Sequence, residues 1–150
     1  MAQLPPLATL WNNYPLGPSE SVKAMIGGAV NASWIANTCT IRLSRALNYC
    51  GDPTFRVRRQ HGMHAVSGAD GKLYAYRVRE MKVYLERKYG PANVRATSDF
   101  EDAVTYLSGI IMFNVNWSDA TGHFDLWDGF WIRNHAYFAE ASEVLLWRTD

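Results

Sequence analysis

The sequence has only two cysteines, Cys39 and Cys50, in 150 residues, too few for a disulfide framework. It also lacks an excess of charge: the net charge is +1, so composition does not indicate binding to nucleic acid or to an anionic membrane. No apolar run approaches the roughly 18 residues of a membrane-spanning helix. The N-terminal segment lacks the charged n-region of a signal peptide. We therefore expect a chain made in the cytoplasm without a signal peptide and without membrane insertion.

What is present is typical of a folded domain, with 48% hydrophobic and 19% charged residues. No internal repeat, low-complexity tract or long linker interrupts the chain, so we expect one domain, residues 1–150. Helical patterns occupy the first part, and β-type patterns begin at Gly109, with hairpin-length connections between them. We predict an α+β fold with an antiparallel sheet.

Amphipathic spacing predicts the main helices. One covers Cys39–Tyr49, a second lies in "YRVREMKVYLERKYG", and a third in "SDFEDAVTYLSG" begins with a capping box of Ser98 and Glu101. Two shorter helices precede them, Ala8–Tyr14 and one that begins at Ser19.

Four segments in the C-terminal part predict short strands: "GIIMFNVN", "HFDLWDG", "FWIRN" and "EVLLWRT". Alternation in the second places Phe124 and Leu126 on one face and His123, Asp125 and Trp127 on the other.

The predicted cysteine helix separates the two thiols. They are 11 positions apart, which is about 16 Å along a helix and beyond disulfide reach. Cys50 is expected to pack as a small hydrophobic side chain. Cys39 lies in the first turn, where the positive end of the helix dipole favours the nucleophilic thiolate. Position alone leaves Cys39 open between a packed side chain and a nucleophile.

A cysteine nucleophile needs a base, and His123 is the best candidate among the four histidines. It begins the alternating strand, although a lone histidine there can also be structural. His61 and His64 form a His-x-x-His pair, but no CxxC or HExxH spacing supports a zinc site. We expect no metal and no cofactor.

Two residues are candidates for the group that orients the imidazole. Asp125 lies on the same strand face as His123, two positions on. Asn134 would stand opposite His123 if the chain turned near Asp128 and returned as a strand. An amide oxygen can accept the imidazole N–H, as in Cys-His-Asn sites. We expect Asn134, with Asp125 as the alternative.

One basic cluster, "RVRRQH" from Arg56 to His61, stands out in the nearly neutral chain. It is either a solvated loop or a contact for an anion or a substrate.

Three runs, "NTCTIRLSRALN", "SGADGKLYAYRVREM" and "NWSDATGHFDLWDG", are similar in order and spacing to the type VI secretion amidase effector family 4. The resemblance extends from about Gly27 to Trp147. It implies an NlpC-like, papain-related fold in which N-terminal helices, with the cysteine helix, pack on a C-terminal antiparallel sheet that carries the histidine. Members hydrolyse the D-glutamate–meso-diaminopimelate amide of peptidoglycan stem peptides.

The resemblance also assigns roles. It implies Cys39 as nucleophile and, through its backbone N–H, oxyanion donor, and His123 as general base and acid. The family's third residue is an aspartate eleven positions after the histidine, and here that position holds Asn134. The loss of a charge predicts lower activity or a different pH profile. Some members carry a cysteine pair after the histidine strand, which this chain lacks.

Partners follow from the resemblance as well. It implies delivery by a secretion-machine component, action in the periplasm of a target bacterium, and a dedicated immunity protein in the producer. Four tryptophans are candidates for a peptide groove or, alternatively, for the core: Trp34, Trp117, Trp127 and Trp131. Two other functions stay open: a papain-like hydrolase or acyltransferase on another amide, and a non-catalytic wall- or partner-binding module.

Overall fold

The computed structural model describes residues 2–60, 63–116 and 122–150. The helices are α1 (Leu7–Asn13), α2 (Ser19–Ile26), α3 (Cys39–Asn48), α4 (Val78–Tyr89) and α5 (Phe100–Val104). The strands are β1 (Ala65–Ser67), β2 (Leu73–Ala75), β3 (Val94–Ala96), β4 (Gly109–Asn114), β5 (Gly122–Trp127) and β6 (Glu143–Arg148). None of the described helices is long and apolar enough to cross a membrane.

The main sheet is antiparallel. Its described strands have the order β3-β6-β4-β5, so β4 lies between β6 and β5, and β5 forms an edge. In the register of β4 and β5, Phe113 faces His123 and Ile111 faces Asp125. β1 and β2 form a separate two-stranded hairpin. The predicted α+β architecture with an antiparallel sheet is confirmed.

Each face of the sheet carries its own apolar core. On one face, Phe124 and Leu126 of β5 pack with Leu43 and Leu47 of α3, in a cluster that also contains Cys39. The other face packs against the segment that follows β5; the buried side chains of that cluster are Val104, Ile111, Phe113, Val115, Trp127, Val144 and Leu146. The two-faced burial explains why every residue of β5 is buried.

The start of α3 is held by a buried arginine. The Arg42 guanidinium donates to the carbonyls of Pro15 (3.1 Å) and Gly17 (2.8 Å), and its Nε donates to Thr38 Oγ1 (3.1 Å). These bonds satisfy a cation that is otherwise costly to bury. They also tie the segment between α1 and α2 to the first turn of α3, where Cys39 lies.

The predicted strand in "FWIRN" is wrong. Within the described part of the chain, its segment makes no strand pairing beyond an isolated bridge between Trp127 and Ile132. Asp128 Oδ1 accepts the N–H groups of Phe130 (2.9 Å) and Trp131 (2.7 Å), which closes a tight turn. After Ile132 the chain leaves the strand direction.

The capping box at α5 is also wrong. The residue before the helix is Asp99 with φ 46°, and no side chain caps the first turn. α5 has only five residues. The three strands β1, β2 and β3 were not predicted, because three residues each are too few to establish an alternation.

Candidate active site

Cys39 is the first residue of α3 and is buried. Its backbone N–H donates to Asn37 Oδ1 (3.0 Å), and Asn37 Nδ2 donates to the Gly122 carbonyl (3.5 Å). Asn37 thus links the start of the cysteine helix to the start of β5. The expectation of a free Cys39 N–H for an oxyanion is corrected here, because Asn37 occupies that donor.

His123 is the second residue of β5 and directly follows Gly122, whose carbonyl accepts the Asn37 hydrogen bond. Its Nε2 is 2.7 Å from Asp125 Oδ2. With Nε2 engaged, Nδ1 is the nitrogen left for the Cys39 thiol, which lies close enough to raise the pKa of the ring. The structure therefore brings together the predicted cysteine and histidine.

Asp125 is fully buried and collects several donors. Its Oδ1 accepts the backbone N–H groups of Leu126 (2.8 Å) and Asn134 (3.0 Å). Its Oδ2 accepts the N–H of His135 (2.9 Å) besides the His123 ring. Donors of this kind stabilise the ionised carboxylate.

The prediction that Asn134 orients His123 is wrong, and the alternative, Asp125, occupies that place. Asn134 is exposed, and only its backbone N–H reaches the site, through Asp125. The reason is the turn after β5: without a returning strand, nothing aligns the Asn134 side chain with His123. Residues i and i+2 of one strand share a face, which places Asp125 beside the ring.

The surroundings of His123 favour its charged form. Burial lowers the pKa of the imidazole, but the hydrogen bond to Asp125, followed by the Cys39 thiol, outweighs this effect and raises the pKa to about 9. At neutral pH the imidazole is therefore protonated. An imidazolium between a thiol and a carboxylate is the arrangement of a cysteine nucleophile with its acid and base.

Tyr137 is a further residue at this site. Its ring centroid lies 4.9 Å from that of His123 at 67°, and 4.3 Å from that of His135. Burial raises the pKa of Tyr137, and the charge of Cys39 raises it further. Nothing in the sequence pattern pointed to this residue beyond its position in an aromatic stretch.

The structure separates the tryptophans. Trp127 is 2% exposed and its Nε1 donates to the Val104 carbonyl (3.0 Å), so its expected role in substrate binding is corrected to a core role. Trp34 is 60% exposed and packs edge-on against Tyr76, with centroids 4.9 Å apart. Trp131 is exposed at the turn after β5. Trp117 lies outside the described residues.

The remaining cysteine and histidines lie elsewhere. Cys50 is half-buried at the far end of α3 and bonds to the Leu47 carbonyl (3.1 Å); both cysteines are free. His64 Nδ1 pairs with Glu80 Oε2 at 2.8 Å. His61 lies outside the described residues. Among residues 2–60, 63–116 and 122–150, no group of three His, Cys, Asp or Glu side chains has the arrangement of a metal site.

Comparisons with known proteins identify the family and the fold of the chain. The family model of type VI secretion system amidase effector protein 4 (Tae4) matches residues 35–147. The crystal structure of the type VI effector Tae4 from Enterobacter cloacae is 30% identical, with a TM-score of 0.89 and 100% of both chains covered. A Salmonella typhimurium Tae4 in complex with the immunity protein Tai4 from Enterobacter cloacae is 27% identical (TM-score 0.89), covering 98% of this chain and 100% of that chain.

A complex of Tae4 and Tai4 from Enterobacter cloacae is 29% identical, with a TM-score of 0.87, covering 99% of this chain and 100% of that chain. No curated protein sequence matches the chain. The family model spans most of the chain, and the similar structures share its papain-like α+β fold. The chain is therefore an amidase, and it belongs to the type VI secretion amidase effector protein 4 family.

Proposed function

We propose that the chain is a peptidoglycan amidase that cleaves the D-glutamate–meso-diaminopimelate bond of stem peptides through Cys39, His123 and Asp125. One observation carries the proposal: the buried imidazole lies between a carboxylate at 2.7 Å and a thiol at a helix start. Family membership supports the reaction class, an amide hydrolysis.

The geometry supports the following steps. The Cys39 thiolate attacks the γ-carbonyl carbon of D-glutamate and forms a tetrahedral intermediate. The His123 imidazolium gives its proton to the amine of diaminopimelate, the carbon–nitrogen bond breaks, and a thioester remains. The neutral imidazole then takes a proton from water, whose oxygen attacks the thioester carbonyl and releases the D-glutamate carboxylate and the thiol.

Asp125 orients the imidazole ring and takes no part in the bond-making and bond-breaking steps. Its hydrogen bond holds Nε2 and directs Nδ1 towards the sulfur, and its charge stabilises the imidazolium. Three backbone N–H groups donate to the carboxylate and fix its position. Of the predicted tryptophans, the exposed Trp34 is a candidate to contact the peptide, since it lies in the segment before α3.

Digestion of purified muropeptides tests the proposal. The wild-type protein and Cys50→Ala should release products that carry a free D-glutamate γ-carboxylate and a free diaminopimelate amine, as their masses show. Cys39→Ala should release neither. Equal cleavage by Cys39→Ala would exclude the nucleophile, and products of other masses would favour another amide substrate or an acyl transfer.

A thiol-reactive probe separates an enzyme from a binding module. The Cys39 thiol, beside an imidazolium, should label much faster than Cys50 near pH 6, because burial raises the pKa of the Cys50 thiol. Equal labelling rates would favour a non-catalytic module.

The cellular setting belongs to the same proposal. Effectors of this family are known in complex with Tai4 immunity proteins, and we expect a cognate immunity protein for this chain. Delivery by a secretion-machine component would place it in the periplasm of a target bacterium, where its substrate lies.

A further inference from the structure

The basic cluster of the sequence lies away from the candidate active site. Arg56 and Arg58 are exposed and, with Lys72, line a pocket of about 250 Å³. The other lining residues are Asn48, Val57, Gly71 and Leu73. The pocket lies at the C-terminal end of α3, nine residues beyond Cys39, which is about 14 Å along the helix.

The pocket has a fixed frame. Asn48 is buried, its Oδ1 accepts the Val57 N–H (2.9 Å), and its Nδ2 donates to the Leu73 carbonyl (2.8 Å). One side chain thus ties the end of α3 to the basic segment and to β2. The two arginines are therefore attached to a backbone that is hydrogen-bonded at its middle residue.

The cations of this pocket have no ion-pair partner among the described residues. The ion pairs among the described residues involve other cations, and none includes Arg56, Arg58 or Lys72. Lys72 Nζ lies 4.7 Å from the centroid of the Tyr49 ring, which is a cation–π contact and not an ion pair.

A fourth cation increases the concentration of positive charge. Lys88 lies close to Arg58, and its pKa is lowered, first by burial and then by that positive charge. With a net charge of only +1, an overall basic composition does not account for this clustering.

Two carboxylates interact electrostatically with these cations, Asp70 with Lys72 and Asp52 with Lys88, and both already accept hydrogen bonds, which for Asp70 include the Lys72 backbone N–H (2.9 Å). Asp70 accepts the hydroxyls of Tyr49 (2.5 Å) and Tyr74 (2.7 Å), and Asp52 accepts the N–H of Thr54 (2.9 Å). None of the described residues that line the pocket carries a carboxylate. Neighbouring positive charges disfavour one another's charged form, and an anion bound beside them favours it.

We propose that the pocket formed by Arg56, Arg58 and Lys72 binds carboxylate groups of intact peptidoglycan, as a second contact outside the active site. This proposal rests on the proposed function for its choice of polymer. Every stem peptide carries free carboxylates, and the bidentate fork of an arginine matches a carboxylate. The second contact holds the enzyme on the wall between cleavage events, which raises the local substrate concentration.

Binding to insoluble sacculi tests the proposal. All proteins carry Cys39→Ala, so that the wall is not digested, and the bound fraction is measured by sedimentation. The triple variant Arg56→Gln/Arg58→Gln/Lys72→Gln should bind about tenfold more weakly, since each solvent-accessible charge contact contributes only modestly to the affinity. Salt should weaken the binding of the parent more than that of the triple variant.

A matched control removes the same charge from ion-paired cations elsewhere: Lys82→Gln/Arg95→Gln/Arg148→Gln. It should bind as the parent does. Arg56→Lys/Arg58→Lys keeps the charge without the fork and should bind with intermediate strength. If the triple variant and the matched control bind equally, the proposal is overturned.

Activity distinguishes this proposal from the proposed function. With Cys39 present, the triple variant should cleave small soluble muropeptides at the wild-type rate and digest sacculi more slowly. Failure of the wild type to cleave muropeptides would refute the proposed function and leave the binding result standing. Vesicles of anionic phospholipid test a phosphate source: loss of vesicle binding with unchanged sacculus binding would assign the pocket to lipid phosphate and overturn the proposal.

Discussion

Asp125 shows how a single carboxylate can position the imidazole of the proposed active site. It gathers three backbone N–H groups and one ring nitrogen, and two of those N–H groups belong to Asn134 and His135. Position 134 therefore takes part through its backbone, which is the same for asparagine and aspartate. The side chain at this position has no role in holding His123.

We predict that substitution of Asp125 lowers the activity strongly, whereas substitution of Asn134 leaves it nearly unchanged. Asp125→Asn should lower kcat/KM about a hundredfold or more, because the amide stabilises the imidazolium less. Its alkaline activity limit should move below the wild-type limit near pH 9, since the hydrogen bond to Asp125 raises the pKa of His123. Asn134→Ala should stay within about twofold of the wild type. Muropeptide cleavage is measured as a function of pH for the wild type and both variants. A hundredfold loss in Asn134→Ala would contradict the assignment of Asp125 as the residue that orients His123.

Tyr137 provides a second prediction at the residue scale. Tyr137→Ala should lower kcat about tenfold, because an edge-to-face aromatic contact of up to about 1.5 kcal/mol that fixes the His123 ring is lost. Tyr137→Phe keeps the ring and should keep most of the activity. Thermal unfolding serves as the control: if both variants lose activity only in proportion to lost folded protein, Tyr137 does not position the ring.

Among the elements, α3 matters most for the site, since Cys39 lies in its first turn and nearly all of its ten residues are buried. The amphipathic spacing of its apolar residues predicts it correctly, including the separation of the two cysteines. The return segment after β5 was predicted wrongly, because its apolar residues resemble a strand. The Asp128 turn and the donors captured by Asp125 decide its path, and those contacts are not visible in a local pattern.

The role of Arg42 in anchoring α3 can be measured. Arg42→Met should lower the free energy of unfolding by about 3 kcal/mol, because it removes three hydrogen bonds that the buried guanidinium donates to Pro15, Gly17 and Thr38. Arg45→Met is the matched control on the same helix; Arg45 is partly exposed and pairs with Asp70 at 3.7 Å, so its loss should cost less than about 1 kcal/mol. Urea unfolding followed by circular dichroism compares the two, and equal losses would refute the anchoring role.

For the whole molecule, the charged imidazole links stability to pH. The pKa of His123 is about 9 in the folded protein, above its ordinary value of 6.5. Its contribution is therefore complete below about pH 6.5 and is lost as the pH rises through about 9. We expect the melting temperature of the wild type to fall more between pH 7 and pH 10 than that of His123→Gln. Parallel curves would show that the histidine is not protonated in the folded state.

The sequence was sufficient for the fold class, the cysteine helix and the histidine strand, because each depends on a pattern of ten or so neighbouring residues. It was insufficient for the third member of the site and for Trp127. Both depend on contacts between distant segments: Asp125 with residues 134 and 135, and Trp127 with Val104.

Cys39 and His123 contact the apolar clusters on opposite faces of the main sheet, and this has a consequence for inactivation. The cysteine belongs to the core on the α3 face, whereas His123 packs against Phe113 and Tyr137 of the other core. A slippage of the helical layer over the sheet by one or two ångströms would separate sulfur from nitrogen while both layers kept their secondary structure. Activity should therefore depend on how tightly the helices pack on the sheet. We expect activity to be lost at lower denaturant concentrations than the circular dichroism signal of the helices.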